Sequence, residues 1–175
     1  MTKDLTQGSP VRLILGFALP LLAGMLFQQL YNLVDTLIVG RFLGMEALAG
    51  VGATGSINFL VLGFCMGSCV GFGVPIAKYF GAGDLEKMRT YVFHGALLTA
   101  GIAVVITTAC TTLCPWILHI LSVQADIYDN AYAYLIVIFA GLPFTLMYNY
   151  LSSVLRSLGD SRTPFLFLAF SAVSN

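Results

Sequence analysis

Residues 90–125 read TYVFHGALLTAGIAVVITTACTTLCPWILHILSVQA, 36 consecutive positions without an Asp, Glu, Lys or Arg. A helix needs about 20 apolar residues to cross the hydrocarbon layer of a bilayer. Working outward from this stretch, further uncharged runs cover 13–34, 47–77, 130–155 and 163–175. Hydrophobic residues make up 58% of the 175-residue chain and charged residues 9%, against roughly 25% charged in soluble domains. A soluble core of this length has no use for four runs that each match a membrane span. The sequence therefore predicts an all-α integral membrane protein, a polytopic helical bundle with the lipid bilayer as its solvent.

The spans are expected at about 11–43, 47–80, 86–120 and 125–157, with another helix starting from 163. The first run is no secretory signal, whose apolar region is about 7–15 residues long; this one has 22 and continues to Arg41. After Pro164 eleven residues follow, about 16 Å of helix and roughly half the hydrocarbon thickness. A fifth helix is begun and not completed, so the expectation is an N-terminal part of a longer protein.

Net charge is zero, which gives no support to a nucleic-acid partner. The distribution of charge is more informative. With a cytoplasmic N-terminus, Lys3, Arg12, Lys78, Lys87, Arg89, Arg156 and Arg162 lie inside and only Arg41 outside, as the positive-inside rule asks. Aromatic residues fit the same orientation: Tyr79, Phe80, Tyr91 and Phe93 at the inner boundary, Trp116, Tyr128 and Tyr132 at the outer one. The expected location is the cell membrane.

Within the first span, FQQLYNLVDTLIVG (27–40) carries Gln28, Gln29, Asn32 and Asp35. Gly24, Gln28, Tyr31 or Asn32, and Asp35 recur at helical spacing and share one face. Such a stripe must meet protein or water, because lipid offers no hydrogen-bond partner. An ionisable residue inside a span points to an ion or proton. The bland alternative is that Asp35 is interfacial, capping or pairing with Arg41. Pro20 removes a helical hydrogen bond and bends the span, either as a static kink or as a moving hinge. A second break is expected at Gly141–Pro143, followed by Tyr148, Asn149 and Tyr150. Asn58 and Asn149 are candidates to line a cavity, or else satisfy neighbouring backbone. Gly63, Gly67 and Gly71 suit close helix packing.

Cys65, Cys69, Cys110 and Cys114 form two i,i+4 pairs. Four thiolates can hold zinc, but apolar helices favour packing, because Cys behaves there as a small hydrophobe. His94 and His119 sit near opposite ends of one helix. No nucleophile–base arrangement and no phosphate-binding loop is legible, so no enzyme is expected.

ALPLLAGMLFQQLYNLVDTLIVGRFLGMEALAGVGA, GVPIAKYFGAGD, AYLIVIFAGLPF and LRSLGDSRTP occur in this order. With these motifs the chain resembles the N-terminal part of MATE (multidrug and toxic compound extrusion) transporters of the larger flippase superfamily. The resemblance implies two six-helix lobes around a central cavity, of which this chain supplies part of the first; its partner is then the C-terminal lobe of the same chain. It implies export of organic, often cationic, compounds driven by H+ or Na+, with no cofactor beyond that coupling ion. The family's first-helix aspartate matches Asp35 and its proline Pro20. An asparagine of the fifth helix in one branch matches Asn175. Lys78 departs from the pattern, since many members carry glutamine there.

The expected mechanism follows. A carboxylate in a partly dehydrated cavity takes up a proton more readily; alternatively Na+ binds Asp35, with Asn32 or Asn175 completing its shell. Gln28, Tyr31, Asn58 and Asn149 line the cavity and Pro20 bends, so that a neutralised helix 1 expels its cargo as the lobes rock. Two rivals are a flippase for a lipid-linked saccharide, which would want basic residues in the cavity, and a non-transporting membrane scaffold.

Overall fold

The computed structural model describes residues 10–174. Helix α1 (Pro10–Ile38) runs into a π-helical turn (Val39–Leu43). Then come α2 (Gly44–Ala53), α3 (Gly55–Gly81), α4 (Leu85–Ile120), α5 (Tyr128–Ser157) and α6 (Arg162–Ser174). By length and composition four stretches can cross a membrane: 14–53, 55–81, 85–120 and 128–157. The described residues contain no strand.

Helices α3, α4 and α5 form the packed body. Along α5, Ala131, Leu135, Phe139, Leu142, Leu146 and Tyr150 are buried at spacings of three and four, one face of an α-helix. They meet smaller residues: Val61, Cys65, Cys69 and Gly73 on α3, and Gly95, Thr99, Ala103 and Cys114 on α4. Small against large is how helices approach in lipid, where no hydrophobic gain favours helix contact over lipid contact. Polar bonds reinforce the contact. The Tyr150 hydroxyl donates to the Val92 carbonyl, the Ser157 hydroxyl donates to the Gly73 carbonyl at 2.9 Å, and the Cys69 thiol lies 3.8 Å from the Leu146 carbonyl.

The opposite faces are bare. Phe59 is 84% exposed and Phe144 73%, with Val104, Val105 and Val137 similarly uncovered. Apolar exposure on this scale belongs against hydrocarbon, not water.

The expected packing stripe is corrected. Gly63, Gly67 and Gly71 are exposed, and a Cβ added to any of them meets nothing within 4 Å. The buried glycine of α3 is Gly73, where an added Cβ would lie 2.6 Å from Ser153 Oγ and 2.7 Å from Ser157 Oγ. Two further expectations change. The single helix expected at 47–80 is divided at buried Thr54, whose hydroxyl donates to the Val51 carbonyl at 2.9 Å. No break occurs at Gly141–Pro143: α5 continues through Pro143, and the Thr145 hydroxyl donates to the Gly141 carbonyl.

Junctions between helices carry their own chemistry. Gly44 (φ 88°), Gly83 (φ 75°) and Gly159 (φ 81°) occupy the left-handed region, which glycine adopts without steric cost. Asp84 caps α4, accepting from the Lys87 N–H at 3.1 Å. Asp160 caps α6 more fully, accepting from the N–H groups of Arg162 and Thr163 at 3.1 Å and from the Thr163 hydroxyl at 2.7 Å. This explains why LRSLGDSRTP is so recognisable: it is a left-handed glycine, a capping carboxylate and a proline in the first turn of the next helix.

These donors hold the Asp160 carboxyl at about 2, below its ordinary 3.8. Because the folded value is depressed, the stabilisation is complete above the unfolded value and fades as pH falls toward about 2. Asp160→Ala is expected to cost about 1 kcal/mol at pH 7. In detergent, its deficit in thermal midpoint relative to the parent should shrink between pH 4 and pH 2.

Candidate functional site

Helix α1 stands on a different footing from the body. Its main helical partner is α6, where the Phe27 and Phe165 rings meet edge to face at 5.8 Å and an added Cβ at Gly24 would lie 3.7 Å from Phe165. Every residue from Met25 to Ile38 is exposed. The α1 stripe is therefore uncovered by the rest of the described chain, inside a segment apolar enough to span a membrane.

Along that stripe Gln28, Tyr31, Asn32 and Asp35 are all exposed. The Asn32 amide donates to Gln29 Oε1 at 3.4 Å, and the Thr36 hydroxyl donates to the Asn32 carbonyl at 2.8 Å. These bonds stay within α1, so no other helix restrains the amides they involve. Asp35 and Arg41 form no ion pair; the one ion pair recorded among the described residues is Lys87–Asp84. The geometry gives no support to Asp35 as a carboxylate locked to Arg41.

Tyr134, on the first turns of α5, lies within electrostatic reach of Asp35. Sequence reasoning singled out Tyr148 and Tyr150 and passed over it. It lies near the start of α5, as Asp35 lies near the end of α1.

The remaining expected residues are more scattered. Asn58 on α3 is half-buried, and its Oδ1 is enclosed without a hydrogen-bond partner. A carbonyl oxygen left unpaired in an apolar setting is costly, so Asn58 has acceptor capacity to spare. Asn149 is 9% exposed, and its amide donates to the Thr145 carbonyl at 2.8 Å; it faces the body rather than an open cavity. Tyr150 is buried against Gly95 and is a packing residue. Pro20 lies inside α1, which stays helical on both sides of it. Asn175 lies outside the described residues.

Other candidate chemistry does not converge. Among the described residues no set of three or more His, Cys, Asp or Glu side chains is placed to hold a metal ion. Cys65, Cys69 and Cys114 are buried in the helix contacts instead. An open depression of about 600 Å³ at the α4–α5 turn is lined by His119, Ser122, Tyr128 and Asp129 among others. No residue of α1 lines it, so it is separate from the stripe.

Long, lipid-compatible helices, with exposed polar residues and a carboxylate on the first of them, define an integral membrane helical bundle. Known proteins make the assignment specific. The MatE family model matches residues 20–175, and the chain belongs to that family. It is 31% identical over 172 residues to the "Probable multidrug resistance protein YpnP" of Bacillus subtilis, covering 98% of this chain and 39% of that relative. A solved MOP superfamily transporter from Pyrococcus furiosus superposes with a TM-score of 0.90 at 27% identity, covering 97% of this chain and 37% of that one. MATE structures described as bent and straight superpose with TM-scores of 0.88 and 0.85, at 27% and 30% identity; the chain is 99% and 97% covered, and they are 39% and 38% covered. The chain thus spans somewhat over a third of the length of the relatives it matches.

Proposed function

We propose that this chain forms the first lobe of a cation-coupled exporter of organic, chiefly cationic, compounds. The coupling ion is H+ or Na+, and export proceeds by alternating access against a second lobe. The observation that carries this reading is the uncovered stripe of α1. It ends in a carboxylate that no basic side chain of the described residues neutralises, within a stretch long and apolar enough to span a membrane.

The physical logic is competition. A cationic cargo and a coupling ion each lower the cost of keeping Asp35 charged or uncovered, and one carboxylate serves one of them at a time. A ligand shifts a conformational equilibrium only by its differential affinity for the two states, and this competition supplies the difference. Gln28, Tyr31 and Asn32, one and two turns along the same face, offer oxygens to the cargo or to an ion. Pro20, inside α1, lets the helix bend. With an N-terminus in the cytoplasm, Asp35 lies toward the outer surface, where the incoming ion arrives.

A flippase for a lipid-linked saccharide would need cationic side chains for its pyrophosphate, and the stripe has none. The test is ethidium efflux from cells carrying the two-lobe protein. Efflux that collapses with a protonophore or on removal of Na+ supports coupled export; efflux no faster than in cells lacking the protein rejects it. Pro20→Ala should slow turnover severalfold while substrate still binds, read as a lower maximal rate at little-changed half-saturation.

A further inference from the structure

The α3–α4 turn gathers positive charge that neither packing nor the proposed export uses. The Lys78 ammonium lies 5.7 Å from the centre of the Tyr79 ring, and the Lys87 ammonium lies 5.6 Å from the same centre. Tyr79 in turn stacks on Tyr91, with centroids 5.1 Å apart and planes inclined by 17°. Lys87 is paired with Asp84 at 3.0 Å, whereas Lys78 has no carboxylate partner among the described residues. One carboxylate therefore answers two ammonium groups drawn to one aromatic ring. Arg89 and Glu86, both exposed, complete the local charges, leaving three positive and two negative groups across 78–89.

We propose that this cluster binds the phosphate of an anionic phospholipid. Both ammonium groups lie beside the Tyr79 ring, so a phosphate seated next to that ring is offered donors from Lys78 and Lys87, which the ring attraction keeps nearby. A lipid rather than a free anion fits the position. The cluster sits where two spans end, with its tyrosines at headgroup level. One turn into the span from Lys78, Val74 is 65% exposed, and two turns in from Lys87–Tyr91, Leu98 is 56% exposed. Those bare apolar residues give the acyl chains a surface to follow. Lys78, the residue that departs from the family's usual glutamine, supplies the charge that Asp84 does not balance.

The test uses the protein in nanodiscs of phosphatidylcholine with a minor fraction of phosphatidylglycerol, counting lipids retained on purification by mass spectrometry. The parent should retain phosphatidylglycerol in preference to phosphatidylcholine. Lys78→Gln and Lys87→Gln should each lower that preference about fivefold, the effect of one basic residue near an anionic surface. Lys78→Arg should keep most of it, and millimolar inorganic phosphate should displace none. Thermal midpoints in pure phosphatidylcholine should match the parent's, showing that the variants fold. An undiminished preference in the doubly substituted protein overturns the proposal, and so does displacement of the lipid by inorganic phosphate.

Discussion

Asp35→Asn should reduce gradient-driven export by about a hundredfold in proteoliposomes while leaving the protein folded. The expectation follows from where Asp35 stands. It is exposed on α1, outside the packed contacts of α3–α5, and is not joined to Arg41, so the amide replaces it without leaving an unpaired buried group. What it loses is the ability to bind a proton or Na+ and to attract a cation. Driving an equilibrium between two states from one side to the other takes about 5.5 kcal/mol of differential affinity, and a single carboxylate is the available source on the stripe. Losing that difference returns the driven population from about 99% to about 1%, roughly a hundredfold. Downhill leakage of substrate should persist, which separates lost coupling from lost folding. Asp35→Glu should retain part of the activity.

The largest expected effect on stability lies elsewhere. Gly95→Ala should destabilise the bundle by about 1–3 kcal/mol. The added Cβ would sit 2.8 Å from the Tyr150 hydroxyl and 3.1 Å from Tyr150 Cε2. Tyr150 is 5% exposed, and its hydroxyl is engaged with the Val92 carbonyl. It cannot move aside without breaking that bond and disturbing its neighbours on α5. Gly67→Ala is the counterpart. With nothing within 4 Å of its new methyl, it should be neutral or stabilising by up to about 1 kcal/mol, because glycine is the poorer helix former. Thermal midpoints in detergent should therefore move in opposite directions, or at least differ clearly. Equal effects at the two sites would mean that the helix faces are wrongly assigned.

This pair of glycines also shows how far the sequence could be read. The spans were legible because charge is costly in hydrocarbon wherever it falls, whereas Asp160 stood out only as part of LRSLGDSRTP and its capping role came from the structure. Which face of α3 packs inward was not legible. Lipid tails and a protein interior are both apolar, so hydrophobicity does not distinguish the face of Gly63, Gly67 and Gly71 from that of Val61, Cys65, Cys69 and Gly73. Small size alone suggested the wrong stripe; only the neighbouring helix decides. The uninterrupted course of α5 through Pro143 has a similar cause. A proline removes one backbone bond, and the remaining bonds of a long helix carry it past the gap. At the candidate site, Asp35, Gln28, Tyr31 and Asn32 could be placed on one face by periodicity. Tyr134 could not, because its approach to Asp35 depends on how α1 and α5 are arranged in space.

The central claim is that coupling ion and cargo compete for Asp35, and equilibrium binding measures this most directly. A fluorescent organic cation should be titrated into the purified two-lobe protein over a range of pH and of Na+ concentration, in the parent and in Asp35→Asn. In the parent, affinity should fall as protons or Na+ increase, whichever ion couples. In the variant that dependence should vanish and binding should be uniformly weak. If Asp35→Asn keeps the parent's full pH or Na+ dependence, the competition resides elsewhere and the account of α1 is contradicted.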